Sequence, residues 1–479
     1  MYGWILVIGI LTPLLGALLL PVIGKYNVKL RNRTAFALVA VSFVCAAAAL
    51  FGVFGDKLFS IRFALPLGLS FGFRADALAV FMALTASFVS MIIVLYSYGY
   101  IHHYENQNEY YMMVVVFVGA MMGIVYSTNL IALYVFWEIS SLCCWRLIGF
   151  YRQEITIRRA NKTFLVTVLG ALIMLVGFFG IYGQTGTFEL MAMNGVHIPD
   201  WTVALILFGI LSKSATFPLH SWLPDAGVAP SPVTSLLHAA VLVKIGVFAY
   251  ARLFILTFDV SKSFQTIVPT IAAVSALYCA GVAFKENDIK RVLAYSTISQ
   301  LSFILLGLSC GEKIGIVGGL LYILAHSTAK AGLFLCAGIV EHSLHTKDMR
   351  KMGGLAKQMP LTALAFAFCM FSIMGIPPFL GFFTKHMVIE GIIENGNVLL
   401  GALFILCAVM TVLYLVRLYI KVFFGPLNFP TETFTAEAFA KVKEGSKIMV
   451  VSVMILGIAS LALGIFSYLP SQLASMIWG

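Results

Sequence analysis

The stretch from Trp201 to Arg252 constrains this chain more than any other. It opens as an apolar helix carrying Lys213, meets Pro218, Pro224, Pro230 and Pro232 in quick succession, and resumes as a second apolar helix carrying Lys244. A helix entering a bilayer at Trp201 climbs about 1.5 Å per residue, which puts Lys213 about 18 Å deep in a hydrocarbon core about 30 Å thick. A cation is costly at that depth, and a helix is broken there only where its freed backbone groups face protein or water. Lysines near helix ends can snorkel to the interface, but the sequence places both of these in mid-helix. The stretch therefore predicts a hydrated polar site inside a membrane protein.

The rest of the chain supplies the membrane protein. Of its 479 residues, 61% are hydrophobic and 11% charged, and apolar runs of about 20 residues recur throughout. The expected architecture is all-α and polytopic, with about fourteen helices near 3–24, 34–54, 76–99, 110–127, 130–150, 160–183, 201–222, 231–256, 265–284, 289–309, 314–341, 360–385, 397–424 and 447–469. Gly3 to Gly24 is long and lacks a basic leader, so it reads as a retained helix rather than a cleaved signal. Alternating apolar residues from Lys57 to Arg74, around Pro66 and Gly68, predict a small external hairpin.

The net charge of +11 does not indicate nucleic acid, because the basic residues cluster in short loops on alternate sides of the apolar runs. Groups such as Lys25–Arg33, Arg152–Lys162, Lys285–Arg291, Lys347–Lys357 and Lys421–Lys447, the last including Lys441, fall on one side, and only Lys57, Arg62, Arg74, Lys262 and Lys313 on the other. The bias puts both termini on the outer side of the cytoplasmic membrane. The eight cysteines form no C-x-x-C pair and have no Fe–S spacing, so no cofactor or metal is expected in this chain.

Seven basic residues fall within helices. Arg146, Arg252 and Arg417 lie near helix ends and can snorkel; Lys213, Lys244, Lys330 and Lys385 are deeper. Glu138 lies about 12 Å along its helix from Leu130, too deep for a loop carboxylate. His326 and Lys330, four residues apart, share one helix face; the plainer reading of such a histidine is packing, and of a buried Glu–Lys pair a static ion pair. The twelfth helix is interrupted at GIPPFLGFFTKH, where Lys385 follows its prolines as Lys213 precedes its own. That mirrored order fits two inverted five-helix repeats, helices 4–8 and 9–13, with helices 7 and 12 broken. The expected divisions are 1–109 (helices 1–3), 110–256 (first repeat), 257–425 (second repeat) and 426–479 (helix 14).

SKSATFPLHSWLPDA followed by SPVTSLLHAAVLVKIGVF resembles the core of the antiporter-like subunits: the proton-pumping membrane subunits of respiratory complex I, the large subunits of Mrp-type Na+/H+ antiporters, and their relatives in membrane-bound hydrogenases. RADALAVFMALTASFVSMIIVLYS, KENDIKRVLAYSTISQLSF, YILAHSTAKAGLFLCAG and YLVRLYIKVFFG extend the likeness from the third helix through the thirteenth, and HSLHTKDMRKMGGLAKQMP most resembles the Mrp and hydrogenase side. The resemblance implies two half-channels joined by a midplane row of Glu138, Lys213, Lys244, His326, Lys330 and Lys385, with His238 open as a further member. It implies that Glu138 pairs with Lys213 and that Lys385 is the terminal lysine. Arg146 departs from the family pattern, where an apolar residue is usual, and is either a second partner for Glu138 or a loop-facing anchor.

The function so implied is proton translocation, driven by redox chemistry or ion exchange in other membrane subunits, with no redox site in this chain. Sodium prefers clustered oxygen ligands, and a lysine row repels a metal cation, which favours protons. The alternatives are a Mrp-type Na+/H+ antiporter component and a small-molecule secondary transporter, the latter needing a substrate-sized cavity. The partners expected are other membrane subunits and lipid, and no nucleic acid. Family members with a long lateral helix extend further than Trp478, so an internal subunit or a smaller complex is expected.

Overall fold

The computed structural model describes residues 2–55, 57, 59–64, 70–426 and 442–478. Among them, twelve helices are long and apolar enough to cross a membrane. The first six are α1 (Trp4–Tyr26), α2 (Val28–Phe54), α3 (Ala77–His103), α4 (Gln107–Tyr126), α5 (Leu130–Ile148) and α6 (Glu154–Thr185). Between α2 and α3 an antiparallel hairpin pairs β1 (Phe59–Ala64) with β2 (Ser70–Ala75), Phe59 opposite Ala75. Its expected turn, with Pro66 and Gly68, lies outside the described residues, as does Lys441.

The interrupted stretch forms α7 (Asp200–Lys213) and the one-turn α8 (Trp222–Asp225). There follow α9 (Ser231–Ile255), α10 (Phe264–Lys285), α11 (Ile289–Ser309) and α12 (Lys313–Leu344). The second interruption separates α13 (Pro360–Met374) from α14 (Leu380–Glu394). The chain continues through α15 (Val398–Phe424) and α16 (Lys447–Ile465) to α17 (Tyr468–Trp478), an extra short helix that the sequence reading did not separate.

Capping side chains set several helix starts. Asn27, Asp76, Asn129 and Asp288 each accept a backbone N–H from the first turn of α2, α3, α5 and α11, satisfying donors that a helix cannot satisfy itself. The Asn27 cap starts α2 at Val28 rather than near residue 34, so Lys29, Arg31 and Arg33 are helical rather than loop residues. Arg31 is buried and donates to Asn108 at 2.6 Å and Gln107 at 2.7 Å, which ties α2 to α4.

The interruptions sit where the prolines place them, with one shift. Helix α7 stops at Lys213, five residues before Pro218, and Ala215 takes a positive φ of 54°. Lys213 is thus the last residue of a half-helix and not its middle; that end is buried inside the protein, so the depth argument survives without the mid-helix premise. At the second break Gly375 ends α13 at φ 81°, a conformation that suits a residue without Cβ. Helix α14 then runs on past the expected end at residue 385 to Glu394, which leaves Lys385 inside it.

Burial sorts the helices into layers. The apolar cores of α9, α11 and α12 are almost wholly enclosed. By contrast α6 exposes Leu165, Leu169, Leu172, Val176 and Phe179 at three- and four-residue spacing, the apolar outer stripe that lipid or another membrane chain covers. Every deep lysine lies on α7, α9, α12 or α14, toward the enclosed layer.

Candidate functional site

Lys213, Lys244 and Lys330 have no exposed surface, and Lys385 has 4%. All twelve ion pairs among the described residues involve other side chains. Each lysine is held instead by neutral oxygen, nitrogen or aromatic faces.

Lys213 ends α7, where the unpaired carbonyls of a half-helix favour a cation. Its Nζ donates to the Ser141 hydroxyl at 2.7 Å and the Trp137 carbonyl at 3.3 Å, and lies 5.2 Å from the centre of the Trp137 indole. It makes no ion pair with Glu138. The carboxylate is half-buried, its Oε1 is enclosed without a hydrogen-bond partner, and it stands one helical turn from Ser141, the hydroxyl that Lys213 meets. Glu138 and Lys213 are thus neighbours close enough for their charges to interact, without a direct ion contact.

Lys244 meets His326 rather than a carboxylate, with Nζ and Nδ1 2.6 Å apart. Two nitrogens at that distance need one lone pair between them, so the two side chains are not both fully protonated in this arrangement. His326 and Lys330, on one face of α12 as expected, share no hydrogen bond. Lys330 Nζ donates to the Ser296 hydroxyl at 2.6 Å and the Leu293 carbonyl at 3.2 Å, both on α11. His238 is fully buried with neither ring nitrogen partnered, and packs 4.5 Å from the Phe334 ring. Lys385 Nζ donates to the Ile373 carbonyl at 2.7 Å, an acceptor released by the second break, and lies over the rings of Phe303 and Tyr322 at 4.7 and 5.8 Å.

Three arginines expected near helix ends make specific contacts there. Arg146 pairs with Glu109 and has no bond to Glu138; Arg152 joins the same carboxylate at 2.9 Å, so Arg146 is the loop-facing anchor. Arg252 does not snorkel but grips Asp76, the α3 cap, through both terminal nitrogens at 2.5 and 2.8 Å. Arg417 donates to the Glu286 carbonyl and the Asn287 side chain, both at 2.8 Å.

Sequence reading missed two features. Lys290, assigned to an inner loop, is 1% exposed and pairs at 2.6 Å with Glu341, which also meets Lys347 at 3.3 Å. The second is a polar cluster beside Lys330: Ser296, Gln300, Tyr322, Thr411 and Tyr414. Its signal was present, since Ser296 and Gln300 stand four residues apart in an apolar helix. Among the described residues no group of three or more His, Cys, Asp or Glu side chains is arranged to hold a metal ion. All eight cysteines are free thiols.

Residues 127–411 match the model of the NADH:quinone oxidoreductase/Mrp antiporter transmembrane family. The chain belongs to that family. Residues 64–111 match the N-terminal segment of NADH-ubiquinone oxidoreductase (complex I) chain 5. A Na(+)/H(+) antiporter subunit from Alkalihalophilus pseudofirmus is 35% identical over 446 residues, 86% of this chain and 54% of that protein. The NAD(P)H-quinone oxidoreductase chain 5 of a Picosynechococcus species is 33% identical over 459 residues, 88% of this chain and 68% of that one. The chain thus spans about half to two thirds of the length of these relatives. Two solved structures share its fold. One is a chain of the Mrp complex from Dietzia sp. DQ12-45-1b (TM-score 0.88, 23% identity, 99% of this chain and 96% of that one). The other belongs to the membrane-bound sulfane sulfur reductase, an archaeal respiratory membrane complex (0.87, 24%, 98% and 96%).

Proposed function

We propose that this chain is an antiporter-like membrane subunit of a multisubunit complex and carries protons along the row Glu138, Lys213, Lys244, His326, Lys330 and Lys385, with His238 beside it. The observation that carries the proposal is the row itself: four enclosed amines, none in an ion pair, on four central helices. Such amines hold protons only against desolvation and mutual repulsion, so each site's protonation depends on its neighbours. That dependence lets charge introduced at one end propagate to the other. Two lysines are gripped alike, Lys213 by a carbonyl and a serine of α5 and Lys330 by a carbonyl and a serine of α11. The likeness supports the inverted-repeat arrangement.

Glu138 supports the row. Its Oε1 is enclosed without a hydrogen-bond partner, one helical turn from the Ser141 hydroxyl that holds Lys213, where a carboxylate is costly without a role. The relatives and structural neighbours named above come from Mrp, quinone oxidoreductase and sulfur reductase complexes, so the drive would come from redox chemistry or ion exchange in partner chains. The likeness to the Alkalihalophilus antiporter protein favours a second reading, Na+/H+ exchange by a Mrp-type complex with the proton limb in this chain. A small-molecule carrier is less well supported, because the row lysines are at most 4% exposed and pockets of about 300, 390 and 430 Å³ are lined by none of the row residues. The charge bias supports both termini outside a cytoplasmic membrane.

The test is proton uptake by proteoliposomes containing the whole complex under its redox or Na+ driving force. Lys213→Ala and Lys385→Ala should each abolish uptake at normal assembly. Lys385→Arg should also block it, since a guanidinium does not release its proton in the working range. Wild-type uptake by all three variants would refute the proton path.

A further inference from the structure

Lys330 and Lys385 occupy different helices with no direct hydrogen bond between them, yet side-chain hydrogen bonds run from Lys330 along α11 toward Lys385. Lys330 Nζ donates to Ser296 Oγ at 2.6 Å, and Ser296 Oγ shares a hydrogen bond with the Tyr414 hydroxyl at 2.8 Å. Gln300 Nε2 donates to the Tyr414 oxygen at 3.3 Å and to Thr411 Oγ1 at 3.1 Å, while its Oε1 accepts from the Tyr322 hydroxyl at 2.5 Å. The ring of Tyr322 lies beneath the Lys385 ammonium. Ser296, Gln300 and Phe303 fall at i, i+4 and i+7 of α11, one face about 10 Å long, with Lys330 at the Ser296 end and Lys385 at the Phe303 end.

These groups are not equivalent chemically. Ser296 and Tyr414 carry hydroxyls, which can accept one proton while giving up another. Gln300 carries an amide, which donates and accepts but does not exchange its protons in this way. With its N–H on the Tyr414 oxygen, it turns the phenolic proton away from itself, and in this conformation that proton is given to Thr411 Oγ1 at 3.4 Å. All these side chains are buried.

We propose that Ser296 and Tyr414 are the proton-carrying link between Lys330 and Lys385, and that Gln300 is the positioning residue that orients it. The inference rests on the proton-path reading above. In the step, an Nζ–H bond of Lys330 breaks as a new Ser296 O–H bond forms. The former serine proton passes to the Tyr414 oxygen, and the former tyrosine proton passes to the free amine of Lys385. Lys330 ends neutral, Lys385 ends cationic, and both hydroxyls are restored. The joint between Tyr414 and Lys385 is open in this conformation, with the Tyr414 O–H on Thr411 Oγ1 and Lys385 Nζ on the Ile373 carbonyl. The last transfer follows rotation of the phenolic O–H off Thr411 and a swing of the flexible four-carbon lysine arm, so the joint acts as the gate of the link.

The experiment measures proton uptake by the reconstituted whole complex bearing Tyr414→Phe, Ser296→Ala, Ser296→Thr or Lys385→Ala. Tyr414→Phe and Ser296→Ala should each lower uptake by about 10²-fold or more, the usual scale for losing a positioned proton-transfer group, at unchanged assembly. Ser296→Thr keeps the hydroxyl and should retain most of the rate. If Lys385→Ala abolishes uptake while Tyr414→Phe preserves it, the link is wrong and the proton path stands. If Lys385→Ala preserves uptake, the path fails and the link with it. Should Tyr414→Phe not assemble, difluorotyrosine at position 414 keeps the shape and hydrogen bonds while making the phenol a stronger acid. A changed uptake rate at fixed pH supports the link, and an unchanged rate overturns it.

Discussion

Replacing Glu341 by glutamine tests how one end of the bundle is held. The Glu341 carboxylate receives Lys290 Nζ at 2.6 Å and the Ser231 hydroxyl at 3.0 Å, with Lys347 at 3.3 Å. Lys290 is 1% exposed, and its other partner is the Ala229 carbonyl at 3.1 Å. Removing one member of a buried ion pair costs about 3–5 kcal/mol, because it strands the other charge. Glu341→Gln belongs at the low end, about 3 kcal/mol, since the new amide oxygen can still accept from Lys290. Lys347 is 31% exposed, and its screened attraction adds less than about 1 kcal/mol.

The double variant Lys290→Met/Glu341→Gln removes the stranded ammonium and should recover most of the loss. The assay is the heat-denaturation midpoint of the purified complex in detergent. Each kcal/mol shifts the midpoint by about 2–4 °C in chains of 150–250 residues, and by about half that at this length. The single variant should therefore melt about 3–6 °C below wild type, and the double variant within about 2 °C of it. A single variant that melts with wild type, or a double variant no better than the single, would refute the reasoning.

Three further outcomes are expected. Glu138→Gln should depress proton uptake by the reconstituted complex while the subunits still co-purify; retained uptake would leave Glu138 out of the path. Gly381→Ala should push α13 and α14 apart, because a Cβ there would stand 1.8 Å from the Ser372 carbonyl oxygen; overpacking of this kind costs about 1–3 kcal/mol and should appear as a lower melting midpoint. Burial by itself would raise the Asp76 carboxyl, but the Arg252 ion pair, the Ala79 N–H and the nearby Arg74 together outweigh burial and hold it below the usual carboxylate value. A depressed folded-state value gives stability that is full above the unfolded value of about 4 and is lost as pH falls through the folded one. Melting midpoints of wild type should therefore drop in that acid window, and Arg252→Met should remove the drop and lower the midpoint at neutral pH.

Local signals in the sequence located the breaks and the deep lysines. Pro218, Pro377 and Pro378 cannot donate to a helical ladder, and both helices are interrupted there in the structure. The four lysines stand out because a charge within an apolar run is rare. Helix ends were less legible: Asn27 moves the start of α2 back to Val28, and Lys213 ends α7 five residues before the first proline.

Partners were the least legible part. Sequence spacing relates residues on one helix, so it could put His326 and Lys330 on one face but could not name the partner of either. The fold joins His326 to Lys244 and gives Lys330 and Lys213 serine and carbonyl oxygens from α11 and α5. A residue's burial cost is written in its own chemistry and its neighbours in the chain, so the sequence alone determined that these groups lie deep and that two helices must break. Which donor meets which acceptor depends on how distant helices are rotated and packed, and only the tertiary structure decided that.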